Sequence, residues 1–173
     1  QSAVKQNLLV LMALNVTVFV LVTLPLSRLR PDFNDPMLVE YVRSLGTHVD
    51  VRYLLQSVSA YDLIIFKYGF RPSSPSPVAL LTSLFLHGGF AHLAGNMLFL
   101  WIFGDNVEHR LGRLGFFLMY LGGGICATLF FALFVPNSPV PLVGASGAIS
   151  AVLGCYFIWF PRNRVKVFIF LFP

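Results

Sequence analysis

Four stretches of this chain, residues 7–26, 78–104, 114–135 and 146–160, run without a single Asp, Glu, Lys or Arg. Nothing constrains the fold more. A helix rises about 1.5 Å per residue and a bilayer core is about 30 Å thick, so some twenty uncharged residues suffice to cross it. Only 11% of all residues are charged, against about 25% in an ordinary globular chain. The chain therefore reads as an all-α, polytopic transmembrane helix bundle. Its net charge of +5 does not point to nucleic acid, because the basic residues are scattered through loops and form no stripe. Cys126 and Cys155 both fall inside apolar runs and read as small packing residues.

The punctuation between the runs sets the spans. Residues 7–26 form the first; the run is too long for a signal peptide and lacks a small-residue cleavage site. Residues 27–77 are a long outer loop with six basic and five acidic residues and several prolines. Apolar spacing within it suggests short interfacial helices over 37–45 and 54–66. Gly88-Gly89 breaks the second run, leaving a short apolar approach over 78–86 and a span over 90–106. The polar group Asp105 to Arg110 then reaches water. Further spans follow over 114–135, where Gly122, Gly123 and Gly124 suit close helix contact, and over 146–160; a fifth begins at 165. Short basic loops mark the cytoplasmic side: Lys5, Arg110 with Arg113, and Arg162 with Arg164 and Lys166. That places the N-terminus inside and residues 27–77 outside, which suits a bacterial inner membrane, although organelle membranes would read similarly.

Depth then singles out a few polar residues. Counting back from the cytoplasmic arginines puts Ser146 roughly 24 Å, Asn96 roughly 21 Å and His92 roughly 27 Å above them. All three fall short of the outer edge of the core, which implies a wet pocket opening outward. His92 and Asn96 are four apart and share a helical face. Ser146 stands between Gly144 and Gly147 at the mouth of a span, where little bulk would hinder an approaching backbone. Two readings stay open on residue types alone. Ser146, Ser150 and Gly154 repeat every four positions as in a helix-packing face, and His92 and Asn96 could be interhelical hydrogen-bond partners. Metal binding by His87 and His92 lacks both the spacing and a nearby carboxylate, so no metal and no cofactor is expected.

The segments His87-Gly-Gly-Phe-Ala-His92-Leu-Ala-Gly-Asn96, Phe103-Gly-Asp-Asn-Val-Glu108-His-Arg-Leu-Gly112 and Gly144-Ala-Ser146-Gly147, in this order and spacing, resemble the rhomboid family of intramembrane serine proteases. The resemblance covers about half the chain, from His87 to Gly154. It implies a six-helix core with a water-filled active site open to the outside, acting on transmembrane protein substrates within the lipid bilayer, with no nucleic-acid partner. It implies Ser146 as nucleophile, His92 and Asn96 as oxyanion-stabilising side chains, and His87, Gly144 and Gly147 in the pocket. Glu108 and Arg110 read as folding or interface residues. The family's general-base histidine belongs to a sixth helix that is not in this sequence. Both ends read as those of a fragment, and a polypeptide ending at Pro173 is expected to be hydrolytically inactive although its parent is a protease. The competing reading is an inactive rhomboid-like protein that binds or escorts membrane clients.

Overall fold

The computed structural model describes residues 6–45, 57–163 and 165. Among these every extended element is helical; pairing outside helices is limited to isolated bridges such as Phe70 with Leu142. The all-α architecture is that expected of the sequence. Helix α1 covers Gln6–Leu26 and is apolar on all sides. It widens into π turns over Phe19–Thr23, just before Pro25, whose missing N–H removes a rung of the ladder.

The outer loop carries two short helices. Helix α2, Pro36–Ser44, starts behind Asp35, whose carboxylate accepts from the Met37 N–H. Helix α3, Ala60–Tyr68, starts behind a capping box in which Ser59 and Asp62 satisfy each other's backbone N–H groups. Of the stretch expected to be helical over 54–66, residues 54–56 lie outside the described residues, Ser57 is helical, Val58 and Ser59 are not, and α3 begins at Ala60. Helix α4, Pro77–Thr82, tightens into a single 3-10 turn at Ser83–Phe85.

Helical structure then runs over Phe90–Phe134, broken once at Gly112, where φ is +72°. A residue with a side chain pays for that conformation and glycine does not. The break divides the run into α5, residues 90–111, and α6, residues 113–134, which fold back on each other: the Phe116 ring lies 3.5 Å from where a Gly104 methyl would sit. The expected end of this span near residue 106 was drawn from the polar run that follows. The helix continues because Glu108 is not in water. It is fully buried, and its carboxylate accepts from the backbone N–H groups of Asn7 (2.9 Å) and Leu8 (3.0 Å). A carboxylate at the start of α1 satisfies N–H groups that have no partner within the helix and complements its dipole. Asn7 adds a side-chain bond to the Arg113 carbonyl, 2.5 Å.

Helix α7, Ser146–Trp159, packs along α5 and α6. The core is shared by α1, α5, α6 and α7, with Leu100, Val107, Phe116, Tyr120 and Val152 buried at its centre. Close approach of α6 and α7 uses small residues: a methyl on Gly147 would lie 2.9 Å from Ala127 Cβ, one on Gly124 would meet Ala148 at 3.2 Å, and one on Gly123 would collide with Ala151. Gly122 takes no part, since nothing lies within 4 Å of its missing methyl. Cys126 is exposed and does not pack as the sequence suggested; Cys155 is half-buried against the core. The expected fifth span begins at 165, and residues 166–173 lie outside the described residues.

Glu108→Ala removes both acceptors and leaves two N–H groups without a partner. It should cost about 2 kcal/mol, read as a lower unfolding temperature in mild detergent, whereas Arg110→Ala on the exposed side should have little effect.

Candidate functional site

The site is built where α4 hands over to α5 and where the chain enters α7. After Phe85 the backbone turns extended through Leu86 and His87. It is held there from the outer loop: the Tyr61 hydroxyl donates to the His87 carbonyl (2.8 Å) and accepts from the His87 N–H (3.2 Å). Burial pushes the Tyr61 phenol above its ordinary pKa, so the donor is retained across the physiological range.

His87 is buried and bonded at both ring nitrogens. Nδ1 faces the Phe85 carbonyl (3.3 Å) and Nε2 faces the Asn96 amide nitrogen (2.9 Å). A carbonyl only accepts, so Nδ1 carries the proton and Nε2 accepts from Asn96, a neutral imidazole. Asn96, buried one helical turn after His92, keeps a second N–H. The exposed His92 ring meets His87 edge-on at a centroid distance of 5.2 Å.

Gly144 joins these residues to Ser146. Its φ is +117°, and its N–H donates to the Ser83 carbonyl (2.8 Å). A methyl built on it would lie 2.6 Å from His92 Nε2 and 3.6 Å from Asn96 Nδ2. The site needs glycine on both counts, backbone conformation and space. Two residues on, Ser146 is exposed as the first residue of α7. Among the described residues no side chain caps this helix, and the N–H groups of its first turn lie at the positive end of the dipole. Ser146, Gly144, Gly147 and Ser150 line one side of a cavity of about 310 Å³, with Thr128 and Phe131 of α6 on the other. Ser150 Oγ donates back to the Ser146 carbonyl, 2.8 Å.

The structure thus joins His87 to His92 and Asn96, packs Gly144 against His92 and Asn96, and sets Ser146, Gly147 and Gly144 on the cavity. Among the described residues, contact with α6 runs through Gly147, Ala148 and Ala151, while Ser146, Ser150 and Gly154 are exposed. Sequence reasoning missed Tyr61 and the carbonyls of Ser83 and Phe85, which orient the histidine and the glycine. The capping box at Ser59 could have located the helix carrying Tyr61, but not its partner twenty-six residues away.

Two helices, Gln6–Leu26 and the run Phe90–Phe134, are long and apolar enough to cross a membrane, and an exposed serine at a helix start stands near a histidine–asparagine cluster. Residues 75–173 match the rhomboid domain family. The chain belongs to the rhomboid family, whose members are integral membrane proteins. It is 38% identical over 103 residues to Rhomboid protein 1, mitochondrial, of Saccharomyces cerevisiae, covering 57% of this chain and 30% of that protein. It is 44% identical over 90 residues to Rhomboid protease GluP of Bacillus subtilis, covering 52% of this chain and 17% of that protein. With Rhomboid-like protein 11, chloroplastic, of Arabidopsis thaliana it shares 41% identity over 75 residues, 43% of this chain and 26% of that protein. The chain therefore spans less than a third of the length of these relatives. No solved structure matches it.

Gly144→Ala forces a side chain into a left-handed conformation against the His92 ring. It should destabilise the fold by about 1–3 kcal/mol, measurable by denaturant titration in detergent, and should shift the His92 ring resonances. Gly122→Ala should do neither.

Proposed function

We propose that the whole protein is an intramembrane serine endopeptidase that cleaves transmembrane protein substrates in or near the bilayer. The observation that carries this reading is the exposure of Ser146 Oγ on a cavity at an uncapped helix N-terminus, next to a glycine packed on His92 and Asn96. In acyl transfer Ser146 attacks the scissile carbonyl, whose oxygen becomes negative. The Ser146 backbone N–H, the second N–H of Asn96 and the His92 imidazole are the donors for that oxygen, preorganised by the helix dipole, by the His87 contact and by Gly144. His87 acts on position: with both ring nitrogens occupied, it holds the Asn96 amide.

The serine proton needs a base. Neither nitrogen of His87 is free to take it, and His109 lies toward the far end of α5 from Ser146. With His92 given to the oxyanion, no described histidine is left for that role, and the rhomboid resemblance implies a histidine of a further helix as the base. That same observation favours the second reading, a rhomboid-like protein that binds membrane clients without cutting them. The alternation of basic loops supports an orientation with the N-terminus inside and the Ser146 cavity opening outward, in a bacterial inner membrane or an organelle membrane alike.

With the whole protein and a transmembrane substrate in proteoliposomes, Ser146→Ala should abolish cleavage while leaving substrate capture intact. Asn96→Ala should lower kcat by about a hundredfold to a thousandfold. Cleavage that survives Ser146→Ala contradicts the assignment of the nucleophile; absence of cleavage by the unmodified protein, with capture retained, favours the client-binding reading.

A further inference from the structure

Away from Ser146, two cavities meet on the flank formed by α1, α3 and α4. The inner one, about 320 Å³, has Leu14, Val18 and Val22 of α1 on one side and Ile64, Phe85 and Leu86 on the other. Its wall is apolar throughout; the Thr82 hydroxyl at its edge is turned to the Tyr68 carbonyl, 2.6 Å. The second cavity, about 290 Å³, shares Ile64 and Tyr68 with the first and continues past Leu26 to a charged mouth. Arg30, Lys67, Asp32 and Asp35 stand around that mouth.

Length and polarity both fit one kind of molecule. Leu14, Val18, Val22 and Leu26 form a single stripe of α1 about 18 Å long, close to one leaflet of a core about 30 Å thick. The charged mouth is at the end of α1 nearer His87, since α3 bonds His87 through Tyr61 and the other end of α1 is capped by Glu108. Charge lies above and apolar wall below, in the order a phospholipid presents them.

The mouth carries equal numbers of cations and anions. The Arg30 guanidinium is anchored by a bond from Nη1 to the Val58 carbonyl (3.2 Å), and the Lys67 ammonium lies 5.3 Å over the Tyr68 ring on the shared wall. Asp32 and Asp35 each accept one backbone N–H at 2.9 Å through Oδ1, from Asn34 and Met37, and each keeps a second carboxylate oxygen. A phosphate suits the two cations, and a primary ammonium suits the two carboxylates as a hydrogen-bond donor. A glycerol headgroup would leave the carboxylates facing a net anion, and a choline has no N–H to donate.

We propose that this cleft holds one diacyl phospholipid with a phosphoethanolamine headgroup, from the leaflet on the Ser146 side. One acyl chain lies in the groove along α1, the phosphate between Arg30 and Lys67, and the ammonium between Asp32 and Asp35. The lipid joins α1 to α3, the helix whose Tyr61 holds His87.

Native mass spectrometry of the whole protein in mild detergent, titrated with phosphatidylethanolamine, phosphatidylglycerol or phosphatidylcholine of the same acyl chains, tests this. One phosphatidylethanolamine should bind at least tenfold more tightly than either of the others. Lys67→Glu, an exposed change, and Val18→Trp, which fills the groove, should each weaken it at least tenfold, with Leu98→Trp on the exposed face of α5 as an unaffected control. Should Val18→Trp fail to fold, Lys67→Glu decides alone. Equal binding of the three lipids, preference for phosphatidylglycerol, or undiminished binding to Lys67→Glu overturns the proposal. Cleavage is not read in this experiment, so its outcome is separate from that of the protease reading.

Discussion

Inside a bilayer an amide without a partner costs several kcal/mol, and the segment between α6 and α7 is not helical. Its backbone has to find partners elsewhere in the protein, and where it finds them decides where Ser146 stands. Phe70 and Leu142 exchange two bonds, at 3.0 and 2.8 Å; Ser73 donates to the Ser138 carbonyl at 3.0 Å; Gly144 donates to the Ser83 carbonyl at 2.8 Å. These ties draw the entrance of α7 against α4 and the start of α5. A cluster of His87, His92 and Asn96 becomes possible only because the glycine arriving there leaves room for an imidazole.

The two ends of the bundle solve the same problem differently. At one end a buried carboxylate, Glu108, closes the start of α1 with two charge-assisted bonds, and nothing reactive is left over. At the other end no side chain caps the start of α7 among the described residues, and its first-turn N–H groups stand at the positive end of the helix dipole. The contrast separates a helix terminus closed by a buried carboxylate from one whose first-turn N–H groups no side chain caps among the described residues. Supporting the second terminus falls to groups that are themselves fully bonded, Tyr61 and His87 above all, so the rigidity of the site is borrowed from the outer loop.

The long apolar helices were legible in the sequence because hydrocarbon excludes charge so strongly that the gaps between charged residues trace them. Gly123 and Gly124 were legible as close-packing positions for the same kind of reason, a steric one that depends on residue size. Other features were not. Glu108 was expected beside water because its neighbours Asp105 and Arg110 are polar, yet its partner N–H groups lie a hundred residues away. Asn96 was placed with His92 by helical periodicity, but its hydrogen bond goes to His87, across a turn whose path no local pattern sets. The choice between packing and exposure for Ser146 depended on which face of α7 meets α6, and small residues occupy both faces. Local spacing identifies the candidates; long-range hydrogen bonds decide their geometry.

The central claim is that Ser146 is an activated nucleophile in a water-accessible site. Its most direct measurement is labelling of the whole protein, in detergent or liposomes, with a fluorophosphonate that phosphonylates only activated serines, followed by peptide mapping. The account predicts a single adduct on Ser146, absent when the protein is denatured first. Labelling elsewhere, or none on a folded protein, would contradict it.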